Sequence, residues 1–343
     1  MLAGGEDLRE EPTLLLGATG FSPAQREAIQ GLLARLPGTG PGWSLVPFSE
    51  ADGWWVNGSR IKLLQDGNLR VKAGQPTEHA LHLDLAEIDR PVAFCAPLAA
   101  PDFEPLCVFD LADEASVLSA LAHFHDWLRV LRAQFALGAM VVQRGASLRG
   151  TVHHLIHQGN LLAVLDYRNG HAGIHPGAEA ADLWEAEWDK RPASAAELPP
   201  RFVDCTPAQL VWAYVRRTRR DMLPERYRTE TIYFRHAPRV PLRWLRDSLL
   251  AVVRELNSLP ASFQELRQRT GISEAVLAQD LGCMYYAGAI TTTASKAAPT
   301  AGGREGEAST PSEVGPASTA LAKPLDVTVP AMLEHKLRPR GGN

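Results

Sequence analysis

Three helix-initiation signals mark where helices begin in this chain of 343 residues. In each, a serine or threonine N-cap is followed three residues later by glutamine or glutamate, so the two side chains can satisfy backbone amides at the helix start. The signals are Ser22 to Gln25, Thr206 to Gln209 and Ser262 to Glu265, and the first two carry proline at the first helical position. They predict helices in three separate parts of the chain.

Residues 1–110 have the pattern of an α/β unit. An apolar run before Gly17 predicts a buried strand, and the Ser22 helix follows it and stops at Pro37. Strand-like runs come next, at 43–48, 54–56, 69–71, 81–85 and 92–94. We therefore expect an α/β and α+β multidomain protein whose first unit is α/β.

Residues 111–200 predict a helix and then an antiparallel meander. Apolar residues from Val117 to Phe135 recur at three- and four-residue spacing, which indicates one amphipathic helix over 114–136. After Gly138 the period changes to two, so 138–175 is predicted as a meander that begins with a strand at 139–142 and packs on that helix. Asn169-Gly170 is typical of a tight hairpin turn. A short helix is expected around 183–188.

Residues 201–294 predict an arginine-rich helix followed by a small helical module over 241–293. Helices are expected at 241–258, 262–271 and 273–286, and 289–293 is expected to form a strand. This order resembles a winged-helix module, which implies contact with DNA or with a protein. Residues 295–343 are rich in small and polar residues and predict a disordered tail.

The first unit resembles the receiver domains of bacterial response regulators in its order of elements and in its tryptophan-bearing segment 52–56. Receivers hold magnesium with an acidic pair at the end of the first strand, where this chain has Leu16, Gly17 and Ala18. The resemblance therefore implies a degenerate receiver-like domain without phosphotransfer.

The turn from Gly17 to Gly20 also resembles the start of the nucleotide-binding motif of extended short-chain dehydrogenases. Pro23 stands where that motif has its third glycine, and no tyrosine is followed by lysine four residues later. A tight strand-to-helix turn is the alternative interpretation.

An arginine cluster is the most distinctive charged feature. From Arg216 to Arg246 the chain has ten arginines, no lysine and three acidic residues. Guanidinium groups pair bidentately with phosphates and carboxylates. We predict an anion- or partner-binding patch made of Arg216, Arg217, Arg219, Arg220, Arg243 and Arg246. Its partner is expected to be a protein, with a nucleic acid or nucleotide as alternatives. The alternative that these arginines form ion pairs with acidic residues of 1–110 in the same chain also remains open.

Other chemistry is sparse. His153 and His157 would share one strand face, with His154 opposite and with His171 and His175 on the neighbouring arm. A metal site and ordinary surface histidines both remain open. The four cysteines have no paired spacing and predict buried, reduced thiols. No catalytic residue and no cofactor is predicted.

These features predict a cytoplasmic protein, because the acidic N-terminus lacks a signal-peptide pattern and no apolar run approaches the ~20 residues that span a bilayer. We expect a non-enzymatic, bacterial-type regulatory or signalling adaptor that acts through protein contacts. The alternatives are a DNA-binding transcriptional regulator and an enzyme that binds a nucleotide at Gly17–Gly20. DNA reading is disfavoured because the helix expected at 273–286, the candidate recognition helix, carries Glu274 and Asp280 and no basic residue.

Overall fold

The computed structural model describes residues 8–36, 41–76 and 78–299, whose contacts separate into two compact units. We call Arg9–Ala136 with Pro176–Glu185 the parallel-sheet unit. The mixed unit consists of Leu137–His175 and the described residues from Ala186 onward. The chain is thus of mixed α/β composition, as its sequence predicts.

Five strands of the first unit form a parallel sheet in the order β2-β1-β3-β7-β8. By position in the parallel sheet this is the 2-1-3-4-5 order of doubly wound flavodoxin-like sheets. The strands that the sequence predicts are confirmed, and two very short ones (β4 and β8) escape its signals. The unit's strands are β1 (Thr13–Thr19), β2 (Gly42–Val46), β3 (Gly53–Asn57), β4 (Ile61–Leu63), β5 (Leu69–Val71), β6 (Leu81–Leu83), β7 (Val92–Cys95) and β8 (Val108–Phe109).

The two faces of this sheet are covered differently. Helices α1 (Pro23–Arg35) and α2 (Glu114–Trp127) share one apolar core with Trp55 of β3. The neighbouring Val56 belongs to a second core with the antiparallel strands β4, β5 and β6. Successive strand residues point to opposite faces, so Trp55 and Val56 serve different cores.

The prediction of a single helix over 114–136, followed by a strand at 139–142, is wrong in two respects. The helix is divided at Leu128, and α3 (Arg129–Arg144) continues through the residues 139–142 predicted as a strand. The run Ala139–Val142 is apolar throughout, so its periodicity does not distinguish a buried strand from a helix. The apolar stripe of α2 also packs in the parallel-sheet unit and not on the meander.

The mixed unit contains a five-stranded antiparallel sheet in the order β12-β9-β10-β11-β13. Within the predicted meander, the strands expected from the alternating pattern at 151–157, 161–166 and 172–175 and the Asn169-Gly170 turn are confirmed. In that turn the Asp166 carboxylate accepts the amides of Arg168 (3.0 Å) and Asn169 (3.1 Å), and Gly170 has a φ of 73°. The predicted helix at 183–188 is α4 (Ala180–Glu185), after which the chain enters a strand. The sheet is built from β9 (Val152–His157), β10 (Asn160–Asp166), β11 (His171–Ile174), β12 (Glu187–Arg191) and β13 (Val203–Cys205).

The rest of the mixed unit, from α5 to β15, is called the helical module here. The predicted capping boxes at Thr206 and Ser262 start two of its helices, as the box at Ser22 starts α1, and Gly271 ends α8 with a φ of 68°. Strands β14 and β15 pair antiparallel. The module contains α5 (Pro207–Arg217), α6 (Arg226–Thr229), β14 (Tyr233–Phe234), α7 (Asp247–Ser258), α8 (Phe263–Thr270), α9 (Glu274–Tyr286) and β15 (Ile290–Thr291).

Two boundaries of the module differ from the prediction. The helix expected from residue 241 begins only at Asp247, because a 3-10 turn over Leu242–Trp244 precedes it. The predicted tail begins with a 3-10 turn over Ala294–Lys296, and residues 300–343 lie outside the described residues.

Candidate functional site

The end of α5 divides the arginines that the sequence places side by side. Arg216 and Arg217 form the last turn of the helix and are only 8% and 6% exposed. Their Nη1 atoms donate to the carbonyls of Trp244 and Ala213, each at 3.2 Å. At Thr218 the backbone becomes extended, and Arg219 after it is exposed. Arg220 is half-buried, so the first pair of arginines is buried and the second pair reaches the surface.

Arg246 belongs to the interior as well. Its Nε lies 2.6 Å from Oδ1 of Asp280, which is 1% exposed, and its Nη2 donates to Oε1 of Gln279 at 2.8 Å. Gln279 in turn donates to the carbonyl of Arg216 at 2.9 Å. Burial raises the pKa of Asp280, and the charge of Arg246 opposes that rise. The network joins α5, the start of α7 and α9.

The sequence-based argument that counted the charge of Asp280 against DNA contact is therefore wrong, because this carboxylate is buried. Asp280 follows Leu277 by three positions and precedes Met284 by four, which is the spacing of an inward-facing stripe. That spacing was the signal that could have placed Asp280 inside the module. Arg243 lies in the 3-10 turn before α7, and its side chain is outside the described part of the structure.

Arg219 and Arg220 line a surface cleft of about 550 Å³. Arg228 is in the same lining, where it forms ion pairs with Asp221 and, at 3.6 Å, with Glu274. Sequence reasoning did not assign Arg228 to the site. The apolar part of the lining consists of Val215, Met222, Ala275, Val276 and Ala278. We call this the arginine cleft. It combines three guanidinium groups and two carboxylates with an apolar wall.

Helix α9, which corresponds to the helix predicted at 273–286, is packed on almost all sides. Leu277, Ala278 and every residue from Asp280 to Met284 are buried, and within α9 only Glu274 and Ala275 are exposed. A helix that reads DNA must present several side chains to base edges in the major groove. In this structure α9 has no such face.

The histidines are distributed over both faces of the antiparallel sheet. His153 and His157 share one face and His154 lies on the other, as predicted, and the strand register places His171 with His154. His153 lies 3.3 Å from Thr151 Oγ1, and His154 Nε2 lies 2.8 Å from the carbonyl of Ala195. Over the described ranges, no three His, Cys, Asp or Glu side chains are grouped as a metal ion requires.

The turn after β1 is surrounded by protein atoms. Asn57 donates to the carbonyl of Gly20 at 3.0 Å, and a Cβ added at Gly74 would lie 2.1 Å from the carbonyl oxygen of Phe21. Arg26 pairs with Glu78 at 3.3 Å beside them. In open α/β sheets ligands bind outside the carboxyl ends of the strands, and here Asn57, Gly74 and Glu78 lie beside the carboxyl end of β1.

The four cysteines are buried and unpaired, as predicted. No described helix has the length and apolar character needed to cross a bilayer. Comparison with known proteins adds no family: no family model, no characterised protein and no solved structure matches the chain.

Proposed function

We propose that this protein is a non-enzymatic regulatory or signalling adaptor, and that the arginine cleft binds an acidic segment of a partner protein. The observation that carries the proposal is the cleft itself, where three arginines outnumber two carboxylates beside an apolar wall. Charge-assisted hydrogen bonds to carboxylates are roughly twice as strong as neutral ones. An apolar wall favours a peptide with apolar residues next to its acids.

The order of elements supports a winged-helix-like arrangement for α7, α8, α9 and β15, with β14 as the pairing strand. We infer that this arrangement contacts protein and not DNA, because α9 has no exposed face that could enter a groove. The 2-1-3-4-5 strand order likewise supports a receiver-like parallel sheet, here with antiparallel strands in place of helices on one face. The residues Leu16, Gly17 and Ala18 at the end of the first strand argue against phosphotransfer. The cytoplasm is the compartment that suits four buried, unpaired thiols.

The test uses the full chain and two fluorescent probes, an acidic peptide of alternating glutamate and leucine and a short DNA duplex. We expect the peptide to bind and its Kd to rise about tenfold or more in the double variant Arg219→Gln/Arg220→Gln, because charge-assisted hydrogen bonds are lost. Arg254→Gln is the matched control, since the Arg254 side chain is 77% exposed on α7 and outside the cleft lining. Arg216 and Arg217 are left intact because they are buried.

Equal peptide binding by the double variant and the wild-type chain would contradict the proposal. So would tight DNA binding that falls steeply with salt and is lost in the double variant, which would favour the DNA-binding alternative.

A further inference from the structure

A second concave site, in the mixed unit, has a chemistry different from that of the arginine cleft. Its volume is about 290 Å³, and its walls come from the end of α3, the β10–β11 turn, the start of α5 and the end of α9. None of the described residues that line it carries a formal charge. The residues that matter most for binding are Val141, Val142, Pro207, Val211, Tyr167 and Tyr286.

The start of α5 offers this pocket carbon atoms and few hydrogen-bond donors. Pro207 at the first helical position has no N–H group. The Thr206 hydroxyl accepts the Gln209 amide at 3.1 Å, and the Thr206 amide donates to Gln209 Oε1 at 2.8 Å. A helix start with its donors used in this way does not attract an anion, which disfavours a charged ligand.

Two phenol groups are the available polar groups of the pocket. Tyr167 and Tyr286 are half-buried, and within the described residues neither hydroxyl has a hydrogen-bond partner. Burial, together with the neighbouring Tyr285, raises the pKa of Tyr286 to about 12, so its hydroxyl stays protonated at neutral pH. Apolar walls with a few polar groups are the usual composition of a small-molecule site.

We propose that this pocket binds a small neutral molecule with a flat apolar body and a carbonyl or similar hydrogen-bond acceptor. The volume lies at the lower end of the range for ligand pockets, so the ligand is the size of one or two rings. The proposal goes beyond the adaptor function and does not depend on it. Residues of α5 and α9 line both the pocket and the arginine cleft, but no single residue lines both. A bound molecule would contact the antiparallel sheet's turn and three helices at once.

The experiment titrates benzamide, as a neutral aromatic amide, into the full chain carrying ¹³C-labelled valine methyl groups. We expect saturable chemical-shift changes confined to Val141, Val142 and Val211, with a Kd in the millimolar range that suits so small a ligand. Tyr286→Phe and Tyr167→Phe should each weaken binding, by about fivefold where the hydroxyl donates to the amide carbonyl. Tyr233→Phe, outside this pocket, is the matched control and should leave the Kd unchanged.

Ala208→Trp is expected to abolish binding, because the added ring would occupy the pocket. The proposal is overturned if no saturable shifts appear at the three valines. It is also overturned if benzamide binds equally well to Ala208→Trp and to both tyrosine variants, since the molecule would then bind elsewhere.

Discussion

The parallel-sheet unit and the helical module bury different kinds of side chain. The two cores of the parallel sheet are built from apolar residues such as Trp55, Phe124 and Phe94. The module instead encloses Arg216, Arg217 and Asp280 among its leucines. Shortening a buried apolar side chain leaves a cavity and lowers the free energy of unfolding. Removing the partner of a buried charge leaves that charge without a counterion in a poorly solvated place. The two regions should therefore respond differently to single substitutions.

The sharpest way to break this comparison is Asp280→Ala. Removing the carboxylate leaves Arg246 buried without its ion-pair partner, and we expect the free energy of unfolding of the module to fall by about 3–5 kcal/mol. The double change Arg246→Met/Asp280→Leu should recover most of this loss, because both charges are removed together. Hydrogen exchange of peptides covering α9 measures the effect. A loss under about 1 kcal/mol would mean that the pair behaves like a surface ion pair.

Two helical glycines give a second contrast of opposite sign, one in α1 of the parallel-sheet unit and one in α3, which packs against α5 of the helical module. A Cβ at Gly138 of α3 would lie 2.1 Å from the carbonyl oxygen of Leu210, whereas a Cβ at Gly31 of α1 would meet nothing within 4 Å. We expect Gly138→Ala to destabilise by about 1–3 kcal/mol or more through overpacking. Gly31→Ala should stabilise by about 0.5–1 kcal/mol through helix propensity. Chemical denaturation of both variants measures the signs, and equal signs would contradict the packing described for α3.

Asn57 is a buried polar residue at the end of β3 in the otherwise apolar parallel-sheet unit, and its replacement tests the contribution of its hydrogen bonds. Its Nδ2 donates to the Gly20 carbonyl, and its Oδ1 accepts both the amide and the hydroxyl of Ser59. Asn57→Ala should reduce the free energy of unfolding of the parallel-sheet unit by about 1–3 kcal/mol, because buried groups lose their partners. Asn68→Ala, at an exposed turn, is the control and should change it by less than about 0.5 kcal/mol.

The smallest expected effect is a pH dependence in the parallel-sheet unit. Trp43 Nε1 donates to Nε2 of His125 at 3.1 Å, so the imidazole must be neutral at that nitrogen. Burial lowers the pKa of His125, with a further contribution from Arg132 and an opposing one from Asp126. Because the folded-state pKa is depressed, this contribution to stability is present above the unfolded value of about 6.5 and is lost as the pH falls through the folded-state pKa.

Denaturation at pH 7.5 and at pH 5.5 measures this loss, and His125→Gln should reduce the difference between the two conditions. His79→Gln is the control at an exposed histidine. An unchanged pH dependence in His125→Gln would show that other groups are responsible.

Local signals in the sequence predicted local structure well. The capping boxes at Ser22, Thr206 and Ser262 and the turn at Asn169-Gly170 depend on atoms within a few residues, so the sequence alone determines them. The strand predicted at Ala139–Val142 failed because four apolar residues fit both a helix and a strand. There the helix is fixed by packing against residues far along the chain, such as Leu210 beside Gly138.

The candidate site was less predictable for the same reason. Arg216, Arg217, Arg219 and Arg220 are identical residues within five positions, and their burial differs only because α5 ends between the two pairs and is packed up to its last turn. Neither the length of the helix nor the neighbour that covers it is encoded in those four side chains. The arginine cleft also needs Arg228 and α9, which only the folded chain brings together.

The antiparallel strands β4, β5 and β6, described above as a cover for one face of the parallel sheet, also have a consequence for the order of folding. They lie between β3 and β7, which must find each other across the whole intervening segment. Antiparallel strands that are close in sequence pair quickly, whereas parallel pairing of distant strands first requires the loss of entropy that closing a long loop entails. We expect the three-stranded sheet of β4, β5 and β6 to form early and to bring the ends of β3 and β7 together. The two parallel strands would then be close in space before they pair.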